Sequence, residues 1–392
     1  MATSLLVAGG GIGGLATALA CAQSGCSVQL LEQADAFGEV GAGVQLGPNV
    51  VRLLQQWGLG QALARVAAFP AELQVRSAPS GLVLGVLPLG QRAVQKYGAA
   101  YATVARADLH ALLLEAVRQQ STVALHLGQR VAAIDTTPAS VTVQTVQGGG
   151  FCADALVGAD GVWSWVRQQV FGSASARATG HVAYRAMVRQ SDLPSALRSQ
   201  VVTTWLGPRF HAVQYPVKGG EWLNVVVIVQ GKLPGDVRGW DHSAVAEDLQ
   251  QRVHSACPQL RALLAVVGTW RLWPLYDRPP MGSAAEQVQG RVALLGDAAH
   301  PMLPYLAQGA GMAIEDAYVL AQSLAAPSAS VPQALERYAA LRWQRNARVQ
   351  ARAARNGRIF HLMGPMRWGR DAALALLGAR LLDVPWLYIG VR

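Results

Sequence analysis

The sequence predicts an α/β protein with a Rossmann-like nucleotide-binding domain, an antiparallel-sheet domain inserted into it and a helical C-terminal region. Three observations carry that prediction. The chain opens on a strand, a glycine-rich turn and a helix. Two later apolar runs, Cys152–Val157 and Arg291–Leu295, each enter a turn containing Asp. From about Thr179 to Trp273 the pattern becomes a series of β-rich runs. At 392 residues the chain is long enough for two or three domains. The pattern assigns 1–75, 101–178 and 274–330 to the nucleotide domain, 76–100 and 179–273 to the sheet domain, and 331–392 to the C-terminal helices.

The opening unit is the most informative. Ser4–Ala8 is a short apolar strand, followed by Gly9-Gly10-Gly11-Ile12-Gly13-Gly14 and a helical pattern through Leu15, Leu19 and Ala22. Gly9, Gly11 and Gly14 satisfy G-x-G-x-x-G in its proper context: the first permits the turn, the second lets backbone approach a pyrophosphate, and the third lets helix pack on strand. The helix start offers unpaired N–H groups and a positive dipole end to phosphate. A second strand, Ser27–Leu31, ends in Glu32, where a carboxylate suits ribose hydroxyls. Together these predict dinucleotide binding, and an acidic strand end favours the unphosphorylated ribose of FAD or NAD over NADP.

The two later runs enter Gly158-Ala159-Asp160-Gly161 and Gly296-Asp297-Ala298-Ala299-His300-Pro301. Each has a plainer reading alone, since Asp-Gly is a turn dipeptide and Asp before a helix is a cap. In this order and with the first motif, they resemble the three fingerprints of the single-component FAD-dependent aromatic hydroxylases. The resemblance runs from Leu5 to about Leu324 and more loosely beyond. It implies an FAD-binding domain, with NAD(P)H as a transient co-substrate, the ADP half of FAD at Glu32, Asp160 in the motif serving both nucleotides, Asp297 near the ribityl chain and Arg106 near the flavin. After the third motif, a helix beginning at Gly309 and Gly311 would bring open N–H groups to the flavin ring.

Within the sheet domain, Val182–Val188, Val201–Leu206, Phe210–Val217 and Trp222–Gln230 read as strands, the last two joined by a turn on Gly219-Gly220. His211, Val213 and Tyr215 share one face of their strand. The segment Gly207–Pro216 resembles the substrate strand of 3-hydroxybenzoate 6-hydroxylases, which implies that His211 and Tyr215 lie in the substrate pocket, with His211 as the general base and Tyr215 orienting the substrate hydroxyl. Tyr101, Tyr184, Pro304 and Tyr305 complete the expected substrate pocket. Pro304 departs from the Gln of those enzymes and matches salicylate hydroxylases. The implied reaction uses NAD(P)H and O₂ to hydroxylate a phenolic or hydroxy-aromatic carboxylate through a flavin C4a-hydroperoxide. Arg185 or Arg209 would meet the carboxylate. The alternative substrate is a larger apolar phenol or a quinone or isoprenoid precursor.

Composition bounds the rest. Hydrophobic residues make up 52% and charged residues 14%, which excludes general disorder. The net charge of +10 would suggest nucleic acid if it were spread evenly. It is not: from Arg337 onward there are eleven Arg against two Asp, so the body is nearly neutral and no nucleic-acid partner is expected. Arg337, Arg342, Arg345, Arg348, Arg352, Arg355 and Arg358 form a helical stripe, expected to be solvated or paired with acids elsewhere, with a homodimer contact or weak membrane contact as its roles. Cys21, Cys26, Cys152 and Cys257 form no metal-ligand or disulfide pattern, and no segment has the positive start of a signal peptide. A cytoplasmic protein without metal is expected.

Overall fold

The Ser4–Ala8 strand is apolar on both faces because it lies in the middle of a six-stranded sheet. A computed structural model describes residues 2–38, 42–172, 176–231, 242–244, 246–327 and 330–391. The strand order is Val288–Gln289, Val292–Leu294, Ala155–Gly158, Ser4–Ala8, Ser27–Leu31 and Val123–His126. All pairs are parallel except the edge hairpin 288–294. Helix Ile12–Gln23 covers one face and packs against helices Arg106–Arg118 and Gly309–Leu324. A three-stranded sheet formed by Val131–Thr136, Val141–Thr145 and Gly150–Ala153 covers the other face, with Val141 and Val143 buried against Leu6, Ala8 and Leu156. The chain leaves Ser4–Ala8 toward one neighbour and returns to Ala155–Gly158 on the other side. Gly9 therefore stands at the crevice where strand order reverses, the usual ligand position of such sheets.

The second sheet has eight strands in the order His242–Ala244, Trp270–Asp277, Arg177–Arg189, Trp222–Gln230, Phe210–Val217, Val202–Gly207, Glu72–Ser77 and Val83–Pro88. It is antiparallel except where Val202–Gly207 runs parallel to Glu72–Ser77, a strand contributed by an earlier excursion of the chain. The expected boundaries at 75, 178 and 273 fall inside strands Glu72–Ser77, Arg177–Arg189 and Trp270–Asp277, each of which lies wholly in this sheet. Its hairpin turns over four residues, Lys218 to Glu221, instead of two; Lys218, Gly219 and Gly220 all have positive φ.

Alternation along these strands separates two faces. Val182, Tyr184, Phe210, Ala212, Val225, Val227 and Val229 point outward against helix Pro258–Ala265. Ala183, Ile228, Val213, Tyr215 and Val217 point inward, toward Leu303, Tyr305 and Met312 of the nucleotide domain.

The C-terminal helix Val331–Phe360 starts with a capping box between Ser330 and Gln333. Its charge is not simply a solvated stripe. Arg342 is fully buried and donates to Asp316 Oδ1 at 2.7 Å and Glu315 Oε2 at 2.8 Å. Arg345 donates to both oxygens of Glu315 and to the carbonyls of Trp386 and Leu387, tying down the end of the chain. Burial alone would raise both carboxyls; His300 and Arg342 hold Asp316 below its usual range, and Arg342 and Arg345 do the same for Glu315. This helix is an integral wall of the nucleotide domain, and two of its arginines are paired with acids there. Among the described residues, no helix is long and apolar enough to cross a membrane.

Candidate active site

The nucleotide end is shaped by backbone. Gly9 has φ +108°, and a Cβ there would lie 2.6 Å from the Ala159 carbonyl oxygen. A Cβ on Gly14 would lie 1.8 Å from the Gly9 carbonyl oxygen, so strand, turn and helix close only with glycine at both positions. Helix Ile12–Gln23 begins at Gly11 with no side-chain cap. Glu32 lies across this turn, accepting the Gly10 N–H at 2.6 Å and the Ala34 N–H at 2.8 Å. Helix Gly309–Leu324 also starts without a side-chain cap, and a Cβ on Gly311 would press on Val50 at 2.8 Å. Asp297 is open to solvent in the third-motif turn; surrounding protein raises its pKa, and the charges of Arg106 and His300 oppose that rise. Two uncapped helix starts, a glycine cradle, an acid at the second strand end and an Arg–Asp pair of charges fit FAD.

Asp160 is held by local donors. Its carboxylate accepts from the Ser164 hydroxyl and from the N–H groups of Trp165 and Val166, capping helix Trp165–Phe171. The backbone at Ala159 and Asp160 flanks Gly9, so the second motif supports the nucleotide turn while its side chain serves the helix.

On the sheet's inner face, His211 is buried and its ring lies 5.0 Å from that of Tyr305. His211 Nδ1 is 2.9 Å from His361 Nε2. Burial, then His361 and His181, push the His211 pKa well below its usual value, so the ring is neutral at pH 7. Pro304 lies in the short turn Pro304–Leu306 that presents Tyr305. The Tyr305 hydroxyl is buried with no hydrogen-bond partner among the described residues.

Three tyrosines depart from expectation. Tyr184 faces outward among apolar residues and donates to Asp248 at 2.6 Å, so it is not in the pocket; alternation places Ala183 and Arg185 inward instead. Tyr215 faces inward, but its hydroxyl donates to the Gly43 carbonyl at 2.7 Å and is committed to joining the two domains. Tyr101 donates to Gln45 Oε1 at 2.7 Å and packs edge-on against Tyr388, in the apolar cluster that also holds Tyr215.

Of the two candidate carboxylate anchors, Arg209 is exposed, with φ +62° and its Nε on the Met363 sulfur. Arg185 points inward, its guanidinium 4.0 Å from the centre of the Trp273 ring. Desolvation lowers its pKa to about 10, with Tyr215 opposing and Arg106 assisting the shift. It remains a cation at pH 7, and its buried Nε has no hydrogen-bond partner among the described residues.

The model of a family described as FAD binding domain matches residues 2–353. A 3-hydroxybenzoate 6-hydroxylase of Polaromonas naphthalenivorans (strain CJ2) is 41% identical over 386 residues, covering 98% of this chain and 95% of the relative. The chain belongs to the FAD-dependent aromatic hydroxylases. A Klebsiella oxytoca protein of the same name is 37% identical, covering 93% and 91% of the two chains. Among solved structures, a salicylate hydroxylase substrate complex matches with TM-score 0.83 and 28% identity over 99% and 95% of the chains. Klebsiella pneumoniae HpxO, solved with FAD and uric acid, matches with TM-score 0.85 and 26% identity over 97% and 94%.

This hydroxylase therefore uses FAD. Its sequence reading missed two residues beside His211. His181 lies on the Arg185 face of its strand, and its ring is 6.0 Å from Tyr305 and 5.2 Å from His361. Strand alternation from Arg185 would have found it. His361 follows the last turn of a 30-residue helix, and nothing local in the sequence marks it.

Proposed function

We propose that the enzyme hydroxylates a phenolic carboxylate with NAD(P)H and O₂. The observation that carries this is Arg185, a half-buried cation on the same inner face as His211, whose Nε is buried with no hydrogen-bond partner among the described residues. Buried donors of a charged group are normally paired, and a substrate carboxylate supplies such a partner. FAD, when bound, supplies oxygen activation and transfer of one oxygen atom to the ring. The chain's own residues prepare the substrate. Arg185 holds the carboxylate, stacked on Trp273. His211, neutral and fixed through Nδ1, presents Nε2 to the phenol hydroxyl and takes its proton, making the ring richer in electrons. Tyr305, Phe360 and Leu303 pack around it and limit water.

Hydroxybenzoates and aminohydroxybenzoates are the substrates named for similar proteins and form the first substrate panel. The test is NAD(P)H oxidation with product analysis. Hydroxylated product from phenolic carboxylates, with little from their neutral phenols, supports the reading. Efficient hydroxylation of apolar phenols would favour the quinone or isoprenoid precursor alternative.

Four free cysteines support a reducing, cytoplasmic location. We also propose self-association through helix Gly364–Leu377, where Trp368 is 64% and Leu376 84% exposed. Sedimentation across a concentration series tests it; a monomer that floats with anionic vesicles would give the face to a membrane instead.

A further inference from the structure

We propose that His361 relays the phenol proton from His211 toward solvent, acting as a positioning residue for substrate deprotonation. The inference rests on the reading of His211 as base. The two imidazoles share one hydrogen bond, His211 Nδ1 to His361 Nε2 at 2.9 Å, so only one of the facing nitrogens carries hydrogen. The far nitrogen of the pair, His361 Nδ1, is buried with no partner among the described residues. His361 lies just beneath the surface: its carbonyl accepts the N–H of exposed Arg209, and Met363, two residues on, is 48% exposed.

The reason for a relay is electrostatic. His211 is faced by His361, Tyr305 and Phe360 and feels the charge of His181, with no carboxylate in contact among the described residues. A proton left on it would create a buried imidazolium beside two other histidines. His361 is no better as a resting place; burial, His181 and Arg370 lower its pKa to about 3. Arg370 is itself paired with Asp371, and Asp277, ion-paired with Arg177, acts on His181 among the three histidines. Neither ring can store the proton, but the pair can pass it on. The substrate O–H breaks as His211 Nε2–H forms. The Nδ1 proton of His211 moves to His361 Nε2, and the Nδ1 proton of His361 leaves to water. Both rings stay neutral and only their tautomers change, so one proton is released for each phenolate formed.

The experiment follows phenolate formation by ultraviolet difference spectroscopy when 3-hydroxybenzoate is mixed with the oxidised holoenzyme, across pH and in H₂O–D₂O mixtures. His361→Gln keeps an acceptor for His211 Nδ1 but has no second nitrogen to release a proton. The expected result is wild-type FAD content and ligand affinity with phenolate formation slowed on the order of 100-fold. Wild-type rates in His361→Gln overturn the relay. Should the variant fold poorly, the wild-type proton inventory decides: a curved dependence on D₂O fraction means more than one proton moves, and a linear one overturns the relay. His211→Gln separates the two claims. Phenolate formation that survives there removes His211 as base, whereas its loss in His211→Gln alone removes only the relay.

Discussion

Arg342 and Asp316 form an ion pair at 2.7 Å in which both side chains are fully buried. Asp316 lies in the helix that begins at Gly309, and it also bonds His300 of the third motif, so the pair connects the C-terminal helix to the flavin end of the site. Arg342→Met leaves Glu315 and Asp316 buried with less compensation. Loss of about 3–5 kcal/mol is expected in denaturant unfolding, with weaker FAD retention.

The same network sets the acid limit of stability. The folded pKa values of Glu315 and Asp316 lie below their unfolded values, so their contribution is complete above the unfolded carboxyl range. It is lost as pH falls from that range through the lowered folded values. Thermal unfolding followed from pH 7 to pH 3 should show a steep decline in Tm below about pH 4.5, and that decline should be shallower in Arg342→Met.

Arg185→Met removes the proposed carboxylate partner while keeping an apolar contact with Trp273. A charge-assisted hydrogen bond contributes about 1.5–3 kcal/mol, so KM for phenolic carboxylates should rise about 10- to 100-fold. Binding of neutral phenols should change little. Equal losses for both ligand classes would remove Arg185 from carboxylate recognition.

Tyr184→Phe tests the outward assignment. It removes the bond to Asp248 and should cost about 1 kcal/mol of stability, with KM and kcat within about twofold of wild type. Steady-state kinetics and chemical unfolding on the same preparation read both.

The pH dependence of kcat/KM reports on His211. Burial and the neighbouring histidines lower its pKa, so it stays deprotonated as pH falls through the ordinary histidine range. The acid limb of the profile should therefore lie below pH 6.5. An acid limb above that value would assign it to another group.

The glycine turn was legible because it is local: a strand, a fixed turn and a helix leave no room for a Cβ at Gly9 or Gly14. That His211 and Tyr215 share one face of their strand followed from period-two alternation. Tyr184 failed because alternation gives the phase within a strand but not which face is the inside; the apolar set Val182, Tyr184, Ala186 and Val188 in fact packs on the outer helices. Asp160 shows how one carboxylate suits both a helix cap and a nucleotide site: local N–H groups hold it in a turn that flanks Gly9. His361 and the burial of Arg342 were invisible for a different reason. Both depend on how a long helix docks across the nucleotide domain, a relationship between segments far apart in sequence.

The most direct test of the central claim is the ratio of hydroxylated product to NAD(P)H consumed for the purified holoenzyme, measured on a panel of hydroxybenzoates and their decarboxylated phenols. A ratio near one for at least one carboxylate, and a much lower one for its neutral phenol, is the predicted result. NAD(P)H oxidation that yields only hydrogen peroxide with every phenolic carboxylate, or coupled hydroxylation confined to uncharged phenols, would contradict it.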